Sequence, residues 1–217
     1  MEKKPETQVK IKICGLRTPA DVAAVNAALS EYAGFIFVPM RRRYVAPAQA
    51  AILCQQLDPR IRPVGVFVDA RVEEILEALE HCPIDMVQLH GAEDNDYIAM
   101  LRAAYRSRFA VESRELCIVK AFRVEGADDI RRAEASAADE ILLDHGVGGT
   151  GERFDWTLLQ HCRRRFFLAG GLTPDNVEEA IRVAQPYAVD ASSSLESDGR
   201  KDPEKIRRFV AAVRRSL

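Results

Sequence analysis

Cys14 and Asp144 are the two side chains whose positions suggest acid–base chemistry. Cys14 ends a run in which Ile11 and Ile13 share one face of an expected strand while Lys12 and Cys14 share the other. A neighbouring ammonium favours the thiolate form of a cysteine, whose free pKa is about 8.5, and a thiolate can act as a base. Asp144 ends a second apolar run and could supply a proton. Together the two residues predict a site for proton transfer.

Each of these residues also has a plainer interpretation. Cys14 could be a small buried apolar side chain, as free cysteines usually are. Lys12 could belong to an interior ion pair, for which Glu140 is the expected partner because it shares the face of Asp144 on the same strand. Asp144 could cap the loop that follows it, and His145 beside it could serve as the acid instead.

Eight short apolar runs alternate with eight segments of helical character. The expected strands cover residues 9–14, 34–38, 63–68, 86–89, 116–122, 140–143, 166–169 and 187–189. The expected helices cover residues 18–30, 47–57, 72–79, 94–105, 127–135, 154–162, 173–184 and 202–213. Three of them are expected to begin at a capping residue followed by proline, namely Thr18-Pro19, Thr173-Pro174 and Asp202-Pro203. Continuous apolar strands between helices indicate a parallel sheet.

This alternation predicts the α/β class and a single-domain (β/α)8 TIM barrel over residues 1–217. The alternative is an open doubly wound sheet, which would place a dinucleotide fingerprint after the first strand, where only one glycine stands. Barrel enzymes place their sites at the carboxyl ends of the strands, which is where Cys14, His90, Asp144 and Asp190 fall. We therefore expect His90 and Asp190 to contact the substrate.

Small residues in the last units of the expected barrel predict a phosphate site. Unobstructed backbone N–H groups and the start of a short helix, here residues 192–197, commonly hold phosphate in such barrels. Ordinary turns would explain any one of these groups alone. The expected phosphate-binding residues are Gly149, Thr150, Gly151, Gly170, Gly171, Ser192 and Ser193.

Arg43 lies in a basic loop, residues 40–44, after the second expected strand. The guanidinium of arginine presents a planar fork of donors that can bind a carboxylate through two hydrogen bonds. One arginine of this loop could therefore bind a carboxylate of the substrate. The alternative is a solvated basic turn without a ligand.

The composition is that of an ordinary globular chain, with 217 residues, 47% of them hydrophobic, 29% charged and a formal net charge of −2. This balance gives no reason to expect a nucleic-acid or membrane partner. Five widely spaced cysteines without a CxxC motif indicate a reducing compartment, and the charged N-terminus lacks the apolar segment of a signal peptide. We therefore expect a cytoplasmic location and no zinc site. Since the sequence also has no metal-ligand cluster and no dinucleotide motif, we expect no metal and no cofactor.

These features together resemble the phosphoribosylanthranilate isomerase family of tryptophan biosynthesis. The resemblance covers residues 9–213 and is carried by KICGL at 12–16, GFIF at 34–37, RRY at 42–44, VGVFVD at 64–69, VQLHG at 87–91, LLD at 142–144, GGTGERFDW at 148–156, AGGLTPDNV at 169–177, VDASS at 189–193 and GRKD at 199–202. Two positions depart from the family pattern: Arg41 stands where serine is common, and Ser194 where glycine is common.

The resemblance implies an Amadori rearrangement of N-(5'-phosphoribosyl)anthranilate to 1-(o-carboxyphenylamino)-1-deoxyribulose 5-phosphate. In that family the residue matching Cys14 is the general base, the one matching Asp144 is the general acid, and the one matching Arg43 holds the anthranilate carboxylate. The glycine and serine loops would bind the phosphate. The small-molecule substrate would be the main partner, in a monomer or a homodimer.

Three other functions remain open at the level of sequence. A sugar isomerase of histidine biosynthesis would use paired aspartates, which Cys14 argues against. Indole-glycerol-phosphate synthase would need a catalytic lysine set and a longer N-terminal segment. A non-catalytic phosphate-binding protein on the same scaffold would bind ligand without turnover and would be indifferent to replacement of Cys14.

Overall fold

Eight parallel strands form a closed barrel in the computed structural model, which describes residues 8–110, 115–145 and 155–216. Each strand pairs with the next one in the chain, and the eighth pairs with the first. The strands are Lys10–Cys14 (β1), Tyr32–Ile36 (β2), Arg62–Phe67 (β3), Met86–Leu89 (β4), Cys117–Arg123 (β5), Glu140–Asp144 (β6), Phe166–Ala169 (β7) and Ala188–Ala191 (β8). The predicted (β/α)8 barrel is confirmed, and the doubly wound alternative is wrong.

Helices follow the strands and cover the outside of the barrel. They are Pro19–Ala28 (α1), Pro47–Cys54 (α2), Val72–His81 (α3), Asn95–Arg108 (α4), Ala127–Glu134 (α5), Val177–Ala184 (α6) and Pro203–Arg215 (α7). Between β6 and β7 the structure has a 3-10 helix, Trp156–His161, and after β8 it has a second one, Ser193–Leu195. Among the described residues, no helix combines the length and the apolar character that a membrane crossing requires.

Local signals explain where several helices begin and end. The side chain of Thr18 accepts a hydrogen bond from the Asp21 N–H at 3.2 Å, and the Asp21 carboxylate accepts one from the Thr18 N–H at 3.0 Å. This reciprocal capping, with Pro19 in the first turn, confirms the predicted start of α1. The side chain of Asp202 caps α7, which confirms the helix start predicted at Asp202-Pro203.

Three predictions for the C-terminal part of the chain are wrong in detail. The expected α-helix at 154–162 is the 3-10 helix Trp156–His161, whose first turn is tightened by the Asp155 side chain accepting from the Thr157 N–H at 3.0 Å. Thr173 does not cap α6; its N–H instead donates to Asn176 Oδ1 at 2.8 Å, which closes a separate turn before the helix. The expected short helix at 192–197 is only three residues long.

An antiparallel hairpin follows that short helix, and the sequence did not predict it. Its strands are Glu196–Ser197 (β9) and Arg200–Lys201 (β10). Two-residue strands carry too few side chains to show an alternating pattern, which is why the sequence gives no sign of them. The hairpin matters because it brings Glu196 and Lys201 to the carboxyl end of the barrel.

The barrel interior is apolar and aromatic at its amino end. The hydroxyls of Tyr32 and Tyr187 lie 3.1 Å apart, and the Phe167 ring packs against both tyrosine rings. Lys10 Nζ lies 5.0 Å from the centre of the Tyr187 ring. The interior cluster comprises Tyr32, Val64, Met86, Val119, Ala121, Leu142, Phe167, Ala169 and Ala188. Barrel enzymes place their sites at the carboxyl ends of the strands, so this cluster lies away from the expected site.

Candidate active site

Cys14 lies buried at the carboxyl end of β1, as predicted. Its strand neighbour is Gly34, and a Cβ atom at Gly34 would lie only 2.7 Å from Cys14 Sγ. Glycine is therefore required beside the thiol. Ser192 Oγ donates a hydrogen bond to the Cys14 carbonyl at 2.9 Å, which ties the end of β1 to the residue after β8.

The ion-pair partner of Lys12 is Asp190 rather than Glu140. Lys12 Nζ lies 2.9 Å from Asp190 Oδ2, and the two residues are direct neighbours in the register of β1 and β8. Glu140 begins β6 at the opposite end of the barrel, where it pairs with Arg165. The prediction was wrong because a shared inward face does not specify the height within the barrel. Asp190 Oδ1 is buried with no hydrogen-bond partner among the described residues.

Burial and the surrounding charges act in opposite directions on the Cys14 thiol. Burial raises the pKa of Cys14, the nearby Lys12 lowers it, and Asp190 raises it. The net effect places the pKa above the ordinary value of a thiol, although Lys12 acts in the predicted direction. Burial also lowers the pKa of Lys12, but Asp190 and Cys14 outweigh it, so the Lys12 pKa lies above its usual value.

Asp144 ends β6 at the same rim of the barrel and lies beside a histidine. His90 Nε2 is 3.4 Å from Asp144 Oδ2, and Gln88 Nε2 is 2.9 Å from His90 Nδ1. Gly170 closes the other side of the carboxylate, since a Cβ atom there would lie 2.7 Å from Asp144 Oδ1. The strand neighbours of Asp144 are Ala169 on β7 and Arg123 on β5. Small residues therefore stand beside both predicted catalytic groups and leave room at the mouth of the barrel.

Part of the predicted phosphate site is visible. Gly170 and Gly171 follow β7 with φ of 93° and 64°, conformations that favour glycine. Ser192 and Ser193 follow β8, where Ser193 opens the short 3-10 helix. Gly149, Thr150 and Gly151 lie outside the described residues. The visible backbone groups come from adjacent strands of the barrel.

Arg43 lies at the mouth of the barrel and is held by Glu196. Its Nε and Nη2 atoms lie 2.5 and 3.2 Å from the two oxygens of Glu196, and its Cδ would be 2.6 Å from a Cβ atom at Gly15. Lys201 Nζ also lies 3.3 Å from Glu196. Burial raises the pKa of Glu196, but Arg43 and Lys201 outweigh it and keep the pKa below its ordinary value.

Three site residues were absent from the sequence prediction. Gln88 lies two residues before His90 on the same strand face, so the alternation of β4 could have pointed to it. Glu196 and Lys201 reach the mouth only through the hairpin β9–β10, whose strands are too short to be recognised. The arrangement as a whole offers a buried thiol, a carboxyl group, a guanidinium and backbone N–H groups around one opening.

Comparison with known proteins gives one consistent family. A family model described as N-(5'-phosphoribosyl)anthranilate (PRA) isomerase matches residues 11–212. The chain is 42% identical over 209 residues to the N-(5'-phosphoribosyl)anthranilate isomerase of Endomicrobium trichonymphae, covering 94% of this chain and 98% of that relative. It is 43% identical over 203 residues to the protein of the same name from Lactiplantibacillus plantarum, covering 93% and 90%.

Solved structures agree with these relatives. The crystal structure of phosphoribosyl anthranilate isomerase from Thermotoga maritima superposes with a TM-score of 0.83 at 34% identity, covering 94% of this chain and 98% of that one. A second crystal structure superposes with a TM-score of 0.81 at 33% identity and the same coverage. It shows a phosphoribosyl anthranilate isomerase in complex with reduced 1-(o-carboxyphenylamino)-1-deoxyribulose 5-phosphate. The similarity thus spans the barrel and not one motif.

Proposed function

The chain belongs to the N-(5'-phosphoribosyl)anthranilate isomerase family, and we propose that Cys14 is the general base and Asp144 the general acid of its reaction. The reaction converts N-(5'-phosphoribosyl)anthranilate to 1-(o-carboxyphenylamino)-1-deoxyribulose 5-phosphate, a step in tryptophan biosynthesis. One observation carries the assignment of roles: Cys14 and Asp144 are the last residues of β1 and β6, at the same rim of the closed barrel.

The chemistry requires one proton donor and one proton acceptor. Asp144 protonates the furanose ring oxygen, and the bond from that oxygen to C1' breaks as the anthranilate nitrogen lone pair forms a Schiff base. The Cys14 thiolate then removes the proton from C2', and the released electron pair forms the C1'–C2' double bond of an enolamine. Loss of the C2' hydroxyl proton and addition of a proton at C1' complete the ketone, with no net gain or loss of protons.

The remaining predicted residues hold the two ends of the substrate. Gly170, Gly171, Ser192 and Ser193 present backbone N–H groups to the phosphate, together with the loop that contains Gly149, Thr150 and Gly151. Phosphate accepts several hydrogen bonds at once, which suits adjacent backbone donors. In the proposal Asp190 binds a sugar hydroxyl, because its buried Oδ1 has no hydrogen-bond partner among the described residues.

Arg43 binds the anthranilate carboxylate in this proposal. Glu196 already uses the Nε and Nη2 positions of the guanidinium. Nη1 remains for the substrate, so the carboxylate approaches the edge of the guanidinium that carries Nη1. Glu196 fixes the guanidinium before the substrate arrives, which reduces the ordering that binding requires.

The direct test is turnover by purified Cys14→Ala and Asp144→Asn variants. The loss of phosphoribosylanthranilate fluorescence reports the reaction, and circular dichroism checks that each variant is folded. Each substitution is expected to lower kcat by about 10²–10⁴-fold, the usual contribution of one positioned acid or base. Normal turnover by either variant contradicts its role, and ligand binding without any turnover by the unaltered protein favours a non-catalytic phosphate-binding function.

Arg43→Ala gives an independent check on the orientation of the substrate. It is expected to raise KM more than it lowers kcat, because a carboxylate contact is made in the ground state and the transition state alike. A loss confined to kcat contradicts the carboxylate contact.

Location and assembly are further parts of the proposal. All five cysteines are free, which supports a reducing compartment such as the cytoplasm. One solved relative is described as monomers generated from the dimeric enzyme of Thermotoga maritima, which supports a monomer or a homodimer here. Sedimentation at micromolar concentration distinguishes the two states.

A further inference from the structure

Gln88 is a buried polar side chain next to the catalytic site, and the proposed reaction does not use it. It lies on the inward face of β4, two residues before His90, and only 2% of its surface is exposed. Its Nε2 lies 2.9 Å from His90 Nδ1, while His90 Nε2 lies 3.4 Å from Asp144 Oδ2. The three side chains form a continuous line from the barrel interior to the proposed acid.

The amide sets the protonation of the imidazole. With Gln88 Nε2 facing the ring at 2.9 Å, the amide is the donor and His90 Nδ1 the acceptor, so Nδ1 carries no proton in this arrangement. The ring proton of neutral His90 is then on Nε2, the nitrogen that lies 3.4 Å from Asp144 Oδ2. A doubly protonated His90 would place an N–H group against the Gln88 NH2 group, and two donors repel. The Gln88 amide therefore disfavours the imidazolium.

We propose that Gln88 is a positioning residue that keeps His90 neutral and thereby leaves the catalytic proton on Asp144. The inference rests on the proposed role of Asp144 as the acid. His90 Nε2 lies 3.4 Å from Oδ2, so a carboxylic acid proton on Oδ1 keeps clear of the ring N–H. Oδ1 is the atom next to Gly170, where the absence of a side chain leaves space for it.

The other charged groups around His90 bond the backbone or one another. Glu93 accepts from the Gly91 N–H at 2.8 Å, and Lys120 Nζ donates to the Gly91 carbonyl at 2.7 Å and lies 3.3 Å from Glu93. Asp69, from the loop after β3, accepts from the Ala92 N–H at 2.6 Å. These bonds fix the chain on the carboxyl side of His90. Within the part of the chain that the structure describes, Gln88 and Asp144 are the side chains that contact the two ring nitrogens.

The test compares Gln88→Glu with Gln88→Met, two replacements of similar length. A carboxylate opposite Nδ1 would stabilise the imidazolium, whereas methionine only removes the opposing donor. We expect the His90 pKa to rise in both variants and to rise further in Gln88→Glu. The titration is followed by NMR on histidine-labelled protein, with the His90 signal assigned by its loss in His90→Gln.

The kinetic expectation follows from the same shift of the proton. At neutral pH, kcat is expected to fall by about 10-fold or more in Gln88→Glu, since one pKa unit changes a proton population tenfold. It should fall less in Gln88→Met, and the pH dependence of kcat should move in both. A purely structural role would lower stability in both variants and leave the pH dependence unmoved.

An unchanged His90 titration in both variants overturns the inference. Asp144→Asn separates that failure from a failure of the proposed function. If Asp144→Asn is inactive while both Gln88 variants keep the normal pH profile, only the role of Gln88 is wrong. If Asp144→Asn is fully active, the acid itself is misassigned and the role of Gln88 falls with it.

Discussion

Replacing Lys12 with methionine tests whether the buried ion pair with Asp190 is a structural element of the barrel. Methionine has nearly the length of lysine but carries no charge, so the change isolates the ammonium. The side chain of Lys12 is 1% exposed and that of Asp190 is 9% exposed. Lys12→Met therefore leaves a carboxylate in the barrel interior without its cation.

Removing one partner of a buried pair usually costs about 3–5 kcal/mol, because the remaining charge stays desolvated and uncompensated. A domain of this kind has a total stability of about 5–15 kcal/mol, so the variant should lose a large share of it. Lys12→Met combined with Asp190→Leu should recover most of that loss, because an apolar pair of similar volume often replaces a buried ion pair without net destabilisation.

The measurement is the free energy of unfolding in urea at pH 7 for the unaltered protein, the single variant and the double variant. Lys10→Met is the matched control, since Lys10 lies two residues earlier on the same strand face and its Nζ lies 5.0 and 5.8 Å from the centres of two aromatic rings. Such a cation–π contact is worth about 0.5–1 kcal/mol at a partly exposed site. A loss below about 1 kcal/mol for Lys12→Met, or a double variant as unstable as the single one, refutes the reasoning.

The pH dependence gives the sign of the same effect. The pKa of Lys12 is raised in the folded protein, because Asp190 and Cys14 outweigh burial. Its contribution to stability is therefore fully present below the unfolded pKa of about 10.4 and is lost only as the pH rises through the higher folded value. Titration of Lys12 should therefore not reduce the stability difference between the unaltered protein and Lys12→Met between pH 8 and pH 9, and a fall over that range would contradict the raised Lys12 pKa.

Three further predictions concern Cys14, Gly170 and Glu196. Burial raises the pKa of Cys14, so its alkylation by iodoacetamide should still accelerate above pH 9; a plateau near pH 8 would contradict this. Gly170→Ala forces a side chain onto Asp144 at a φ of 93° and should destabilise the fold by about 1–3 kcal/mol in urea unfolding, with kcat lowered as well. Glu196→Gln loosens Arg43 and should raise KM several-fold at nearly constant kcat; an unchanged KM would show that Arg43 is held by other groups.

The sequence was sufficient for the barrel because each strand is a short apolar run and each interval carries a helical pattern. The carboxyl ends of those strands placed Cys14, His90, Asp144 and Asp190 on one rim without any knowledge of contacts. The sequence did not show which of the inward-facing side chains contact each other. Which inward side chain meets which depends on the stagger between neighbouring strands, and the assignment of Lys12 to Glu140 failed for that reason.

The residues that hold Arg43 lay beyond prediction for a different reason. Glu196 and Lys201 stand on a hairpin whose two strands have two residues each, and its position is set by contacts with the loop after β2. Periodicity needs several residues to appear, and a tertiary contact leaves no local trace. Gln88 is the exception, because its place on the face of His90 follows from the alternation of β4.

The buried polar side chains near the carboxyl end of the barrel reduce the stability of the fold. They also supply groups that the proposed reaction needs. Lys12, Gln88 and Asp190 are all desolvated there, and Gln88 and Asp190 each keep one buried oxygen with no partner among the described residues. Unsatisfied groups of this kind are rare in natural interiors and concentrate where a ligand or a proton must be received. The amino end of the same barrel is filled by tyrosine and phenylalanine rings. The two buried oxygens without a described partner are therefore evidence that the carboxyl end of the barrel is the reactive one.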